Sequence, residues 1–238
     1  MPIRAALTLL PDIADSLALT DLAGLQLADA ASVAAMHHPP LNPDVPALLV
    51  NPADLPALQR VLLNQYPPEH TLQLVLHDDQ GPLATQPVTL SAVGTQNAEG
   101  AVAVLVPALP IASSMERFQE TIAHLRAPEG CPWDRKQTHQ SLRPYLLEET
   151  YEVLDALDSG DAEALREELG DLLLQIVLHS QIAVDDAEFR MSDVIAGINS
   201  KIIHRHPHVW GEVQVSGDED VKANWDKIKQ AEKNHEGT

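Results

Sequence analysis

The apolar positions of this chain follow two rhythms, and the change falls near residues 107–114. Upstream, short apolar runs stand between turn residues: Arg4–Leu10, Ala47–Val50, Leu72–Leu76, Val88–Val93 and Ala101–Val106, with Pro39-Pro40, Pro67-Pro68, Asp78-Asp79 and Asn97 among the separators. Runs of this length bounded by turn formers read as strands. Between them, Asp54–Tyr66 has helical spacing, with Leu58, Val61, Leu62 and Tyr66 on one side. Strands with an interleaved helix predict a small α/β domain over 1–108. The segment Pro107–Pro110 reads as a linker.

Downstream the period lengthens and predicts an all-α bundle of four or five helices over 113–238, so the chain as a whole reads as α+β. A first helix runs to about Leu125, with Ser113 or Ser114 as N-cap and Glu116 at capping-box spacing from Ser113. A second spans about Leu142–Leu157, with Pro144 in its first turn and a stop at Ser159-Gly160. A third starts at an Asp161 cap and runs to about Val184, with Leu165, Leu169, Leu172, Leu173, Ile176 and Val177 in its apolar stripe. A fourth covers Met191–His204, capped by Ser192, and a last spans about Asp218–Lys233.

Charge narrows the function classes. Of 238 residues 35 are acidic and 15 basic, a formal net charge of −20. That argues against a nucleic-acid binder, whose affinity comes from Lys and Arg on phosphates. The single cysteine, Cys131, excludes an internal disulfide or C-x-x-C zinc site. The start is a poor signal peptide and no stretch approaches the roughly 20 apolar residues of a membrane helix. The expectation is a soluble, cytoplasmic protein.

Within this acidic background one pattern carries chemistry. Glu149 and Glu152 stand three apart on the second helix, and Glu168 and Asp171 stand three apart on the third. Positions three apart share a helix face. If the helices pack antiparallel, four carboxylates converge. No Lys or Arg lies between Pro144 and Leu165, so helical salt bridges do not account for the strip. A carboxylate cluster without cations suits a hard divalent cation, Mg²⁺ first, which brings phosphate chemistry with it. A di-iron carboxylate bundle would want Glu-x-x-His motifs, and neither helix has one.

The run CPWDRKQTHQSLRPYLLEETYEVLDAL, then EELGDLLLQIVLHSQIA, INSKIIHRHPHVWGEV and NWDKIKQAEK, closely resembles the MazG family of nucleoside triphosphate pyrophosphohydrolases over about Met115–Lys233. The family's acidic signature is met by Glu148, Glu149, Glu152, Glu168 and Asp171. The resemblance implies a dimeric or larger all-α hydrolase that converts NTPs or dNTPs to monophosphate and pyrophosphate. It implies Mg²⁺, with Mn²⁺ as substitute, on Glu149, Glu152, Glu168 and Asp171. Glu148 activates or orients the water or helps a second metal, and spacing leaves these open. By the same resemblance Lys201, Arg205 and Lys229 meet phosphates. Trp225 stacks on a base or, equally, anchors the last helix. A narrower dUTP/dCTP-type pyrophosphatase and a non-catalytic dimerising or binding module are the alternatives.

Other residues read as structural. His206-Pro207-His208 is expected to be extended around the proline, within a turn. Trp133 and Asp134 are expected to order the loop before the second helix. Residues about 21–108 more loosely resemble the second lobe of tetrapyrrole methylases through DLAGLQLADA, HHPPLNPDVPALLV and LLNQYPPEHTLQLV. The first lobe and the Gly-rich cofactor loops of that family have no counterpart, which implies a non-catalytic remnant used for packing, dimerisation or regulation.

Overall fold

The computed structural model describes residues 10–17, 23–77 and 83–236. The chain falls into two compact units, Met1–Phe118 and Gln119–Thr238, with the boundary in the first turn of the helix Met115–Arg126.

The first unit is built on one mixed sheet. Its strands are β1 (Gln26–Asp29), β2 (Ala47–Val50), β3 (Thr71–Leu76), β4 (Ala84–Thr89) and β5 (Ala101–Val106), in the order β1-β2-β5-β3-β4. Only β1 and β2 are parallel, Gln26 opposite Ala47 through Asp29 opposite Val50; the other pairings are antiparallel. The helices are α1 (Leu10–Ser16), α2 (Ala30–Ala34), α3 (Leu55–Leu62) and α4 (Leu90–Val93). Side chains alternate along each strand, so β2 splits its apolar run between two faces. Leu49 packs with Val33, Leu58, Leu62 and Leu90 in one cluster, while Leu48 and Val50 pack with Ile13 in another. Burial on both faces explains why Ala-Leu-Leu-Val is continuous rather than alternating.

Several local expectations need correction. The Val88–Val93 run is not one strand: β4 ends at Thr89 and Leu90–Val93 is helical. There the Leu90 and Ser91 N–H groups donate to the His70 and Pro68 carbonyls, turning the chain out of the sheet. The helix expected over Asp54–Tyr66 is shorter, since Asp54 caps it from outside through the Ala57 N–H and regular helix ends at Leu62. Of the first apolar run, Arg4–Leu10, only Leu10 lies among the described residues, and it opens α1. Strand β1 and α2 were not foreseen, because four residues with largely uncovered side chains carry no clear alternation.

The second unit is helical: α5 (Met115–Arg126), α6 (His139–Ser159), α7 (Ala162–Asp185), α8 (Met191–Arg205), α9 (Pro207–Trp210) and α10 (Asp218–Glu236), with a 3-10 turn at Asp134–Lys136. Ser114 caps α5 by accepting from the Arg117 N–H, and Glu116 instead accepts from Asn42, so the Ser113–Glu116 box does not form. Thr138 and Ser141 form the box that starts α6 at His139. Pro144 therefore sits more than a turn inside the helix rather than in its first turn. Gly160 closes α6 at φ +68°, and Asp161 opens α7 by accepting from the Glu163 and Ala164 N–H groups. So short a connection folds the two helices back antiparallel. Helix α8 is capped through the Arg190 N–H and Asp193, not by Ser192. His206-Pro207-His208 is not extended: Pro207 opens α9, a first-turn position its missing N–H suits. Among the described residues no helix is long and apolar enough to cross a membrane.

Candidate active site

Helices α6 and α7 bring Glu149, Glu152 and Glu168 together, with one carboxylate oxygen from each within 4.8 Å of the others. The antiparallel register that does this is fixed at the far end of the pair. There the His139 and His179 rings stack at 5.0 Å with 2.7 Å between their Nδ1 atoms. Leu142 and Ala156 on α6, with Gln175 and Leu178 on α7, fill the buried seam beside the carboxylates.

The electrostatics follow from this crowding. Partial burial, and behind it the charges of Asp171 and Glu152, raise the Glu149 carboxyl above its ordinary range. Glu168 is raised by partial burial and by Glu152 and Asp171. Asp171 is thus close enough to act on both, although it lies outside the three-oxygen cluster. Glu148 is exposed, and its charge acts on Glu149. Arg166 pairs with Glu163 at 2.6 Å, and among the described residues no basic side chain forms an ion pair with the four carboxylates. Like charges held together without a counter-cation form an oxygen-only donor set suited to Mg²⁺ or Mn²⁺.

The basic residues expected to meet phosphates lie on α8 and α10. Lys201 and Lys229 are exposed. Arg205 is already engaged: its guanidinium donates to Glu232 at 2.6 and 3.1 Å and lies 5.2 Å from the centre of the Trp225 ring. The Arg205 hydrogen bonds hold the Glu232 carboxyl below its usual range, with smaller help from His204 and Lys201. His206 packs edgewise on Trp225 at 4.9 Å. Arg205 and Trp225 thus form one packed unit with Glu232 and His206. Sequence reasoning missed Glu232, which lies 27 residues from Arg205 and carries no spacing signal.

Sequence reasoning also missed the anchor of the C-P-W-D loop. The Arg126 guanidinium donates to the carbonyls of Asp134 and Gln137 and pairs with Asp185 at 2.7 Å. Trp133 is left 52% exposed, with its ring edge-on to Tyr145.

Residues 137–210, which contain the three converging carboxylates, Asp171, Lys201 and Arg205, match the MazG nucleotide pyrophosphohydrolase domain family. The chain carries a MazG domain. A Bacillus subtilis protein bearing the name Uncharacterized protein YabN is 55% identical over 117 residues, 49% of this chain and 24% of that protein. The nucleoside triphosphate pyrophosphohydrolase/pyrophosphatase MazG of Thermotoga maritima is 50% identical over 119 residues, 49% of this chain and 45% of the relative. The nucleoside triphosphate pyrophosphohydrolase of Escherichia coli K12 is 43% identical over 122 residues, 51% of this chain and 46% of that enzyme. The chain therefore spans between a quarter and a half of the length of these curated relatives. A crystal structure of a mazG-related protein from Thermotoga maritima aligns with 49% of this chain and 99% of its own at 30% identity, with a TM-score of 0.42.

Proposed function

We propose that this chain hydrolyses nucleoside triphosphates, ribo or deoxy, to nucleoside monophosphate and pyrophosphate. The observation that carries the reading is the unpaired convergence of Glu149, Glu152 and Glu168 within a MazG domain. These three with Asp171 would hold Mg²⁺, or Mn²⁺ in its place. When bound, the ion neutralises triphosphate charge and makes a bound water a better nucleophile. Glu148, exposed beside the cluster, orients or deprotonates the attacking water, or assists a second ion. Lys201 and Lys229 take phosphate oxygens the carboxylate side cannot approach. Arg205 joins them on exchanging Glu232 for phosphate, and Trp225 holds the guanidinium in place from its ring face. Phosphoryl transfer of this kind needs positioning and charge compensation, not a covalent nucleophile.

A second copy of the chain is the partner the helical unit calls for. Leu147, Leu154 and Leu157 of α6 are 58%, 49% and 54% exposed. Leu147 and Leu154 lie on the side of the helix opposite the buried Leu142 and Ala156. Burial of that face between two copies gives a homodimer or larger assembly. The biological role that fits is removal of aberrant triphosphates from the nucleotide pool. The first unit serves packing, dimerisation or regulation.

The test is Mg²⁺-dependent turnover of canonical and modified NTPs and dNTPs by the wild type and Glu149→Gln, with products separated. Monophosphate plus pyrophosphate from the wild type, and a loss of at least about a hundredfold in the variant, is expected. Absence of turnover with either Mg²⁺ or Mn²⁺ would sink the enzyme reading. Diphosphate plus phosphate would move attack away from the α-phosphorus.

A further inference from the structure

One contact between titratable side chains stands apart from the carboxylates. His139, the first residue of α6, and His179 of α7 stack with 5.0 Å between ring centres and 8° between planes, and their Nδ1 atoms are 2.7 Å apart. Such a contact holds one proton, because one nitrogen must donate and the other accept. The remaining nitrogens decide which ring donates. His139 Nε2 lies 3.8 Å from a Glu188 carboxylate oxygen, a position that attracts an N–H and repels a lone pair. His139 therefore carries its proton on Nε2 and accepts at Nδ1, and His179 donates from Nδ1. His179 Nε2 is then a bare nitrogen, buried with no hydrogen-bond partner.

A further proton has no good place on this pair. On His139 Nδ1 it points at the His179 Nδ1–H across 2.7 Å. On His179 Nε2 it leaves an imidazolium N–H with neither water nor an acceptor. The surrounding charges offer His179 no relief. Glu188, from the α7–α8 connection, faces His139; Arg143 stands one turn beyond His139 on α6 and is exposed. Arg126 of α5 is held by Asp185, and Arg190 at the start of α8 lies 4.0 Å from Asp193. Helix α7 itself carries no Asp, Glu, Lys or Arg from Leu172 to Val184. Burial, and then the charge of His139, hold His179 below its ordinary range.

The place of the pair gives this proton its consequence. Gly160 and Asp161 join α6 to α7 at one end, and the two imidazoles clamp the other. Glu149 lies ten residues beyond His139 and Glu168 eleven before His179, so the carboxylates stand between the two pins, about 15–17 Å from the imidazoles along each helix.

We infer that His139 and His179 are positioning residues, a one-proton latch that holds α6 on α7 at neutral pH and releases it in mild acid, so that the carboxylate register itself responds to pH. The latch stands on the helix geometry; its effect on Mg²⁺ rests on the reading above. The folded state takes the extra proton less readily than the unfolded chain. The latch's contribution to stability is therefore whole above the ordinary imidazole range and is lost as pH falls through it.

The test begins with long-range ¹H–¹⁵N spectra of the full wild-type chain labelled at histidine. Near pH 8, His139 protonated on Nε2 and His179 on Nδ1 are expected, with both rings changing together as pH falls toward 5. His179 protonated on Nε2, or two independent titrations, overturns the proposal. Amide exchange in EDTA, corrected for its intrinsic pH dependence, should quicken several-fold between pH near 7.5 and near 5.5 in the first turns of α6 and around His179. The double variant His139→Phe with His179→Phe keeps two rings that take no proton, and its exchange should not respond. Mg²⁺ affinity by calorimetry should fall over the same interval by about three- to tenfold more in the wild type than in the double variant, since the carboxylates titrate in both. Equal pH responses of the two proteins overturn the proposal. The spectra need only the wild type, so they decide even where the variant does not fold. Absence of Mg²⁺ binding at either pH overturns the metal reading instead, and the exchange rates still judge the latch.

Discussion

Replacing Glu149 by Gln removes one of three charges whose oxygens converge within 4.8 Å. Two unit charges at that distance repel by about 0.9 kcal/mol at the dielectric of water and about 3.5 kcal/mol at an effective value of 20. Glu149 is half-exposed, so solvent and salt hold the effect near the lower figure. With two carboxylate neighbours, Glu149→Gln should stabilise the metal-free protein by about 1–2 kcal/mol. In a chain of this size that raises Tm by about 2–6 °C. Mg²⁺ at a hundred times its Kd adds about 2.7 kcal/mol to the wild type. The variant, lacking a ligand, gains less, so the order of the two proteins reverses on adding metal. The pH sign is also set. Glu149 and Glu168 have raised carboxyls, so the folded state binds protons more readily than the unfolded. Their penalty is absent below the ordinary carboxylate range and grows as pH rises through it and past the raised folded values. Thermal melts in EDTA and in Mg²⁺, near pH 4 and near pH 7, read all of this. A variant less stable than wild type in EDTA near pH 7, or an equal Mg²⁺ shift in both proteins, would refute the reasoning.

Other expectations are local. Glu232 has a depressed carboxyl, so its contribution to stability is present above the ordinary carboxylate range and lost as pH falls through the folded value; melts of Glu232→Gln should diverge from wild type near neutrality and converge in acid. Gly160→Ala places a Cβ in open space but at φ +68°, so the cost is backbone strain alone, about 1 kcal/mol, seen in chemical denaturation. Leu58→Ala, at a position 1% exposed, should destabilise the sheet unit by about 2–5 kcal/mol, measurable as a loss of its unfolding midpoint. Leu154→Glu should shift the protein to monomer in light scattering; an unchanged assembly would remove that face from the interface.

The sequence by itself determined what depends on near neighbours. Glu149 with Glu152 and Glu168 with Asp171 share faces because three residues nearly complete a turn. Asp161 and Gly160 mark the α6–α7 connection because a carboxylate cap and a left-handed residue act within their own turn. The ends of β2 and β5 were legible because both are unbroken apolar runs between turn residues. Of the two candidate caps Ser113 and Ser114 the structure uses Ser114, and the cap of α8 was misread as Ser192 where Arg190 stands, because the choice rests on backbone angles rather than residue type. Tertiary structure alone decided which distant groups meet. The carboxylate cluster needs the register fixed at His139 and His179, 40 residues apart. Tertiary structure also gave Arg205 a partner in Glu232, anchored the Trp133 loop on Arg126 with the ring edge-on to Tyr145, and buried the Gln175 oxygen without a donor. Each of these joins groups on different helices or loops, where helical spacing carries no information and the closing of the chain sets the distance.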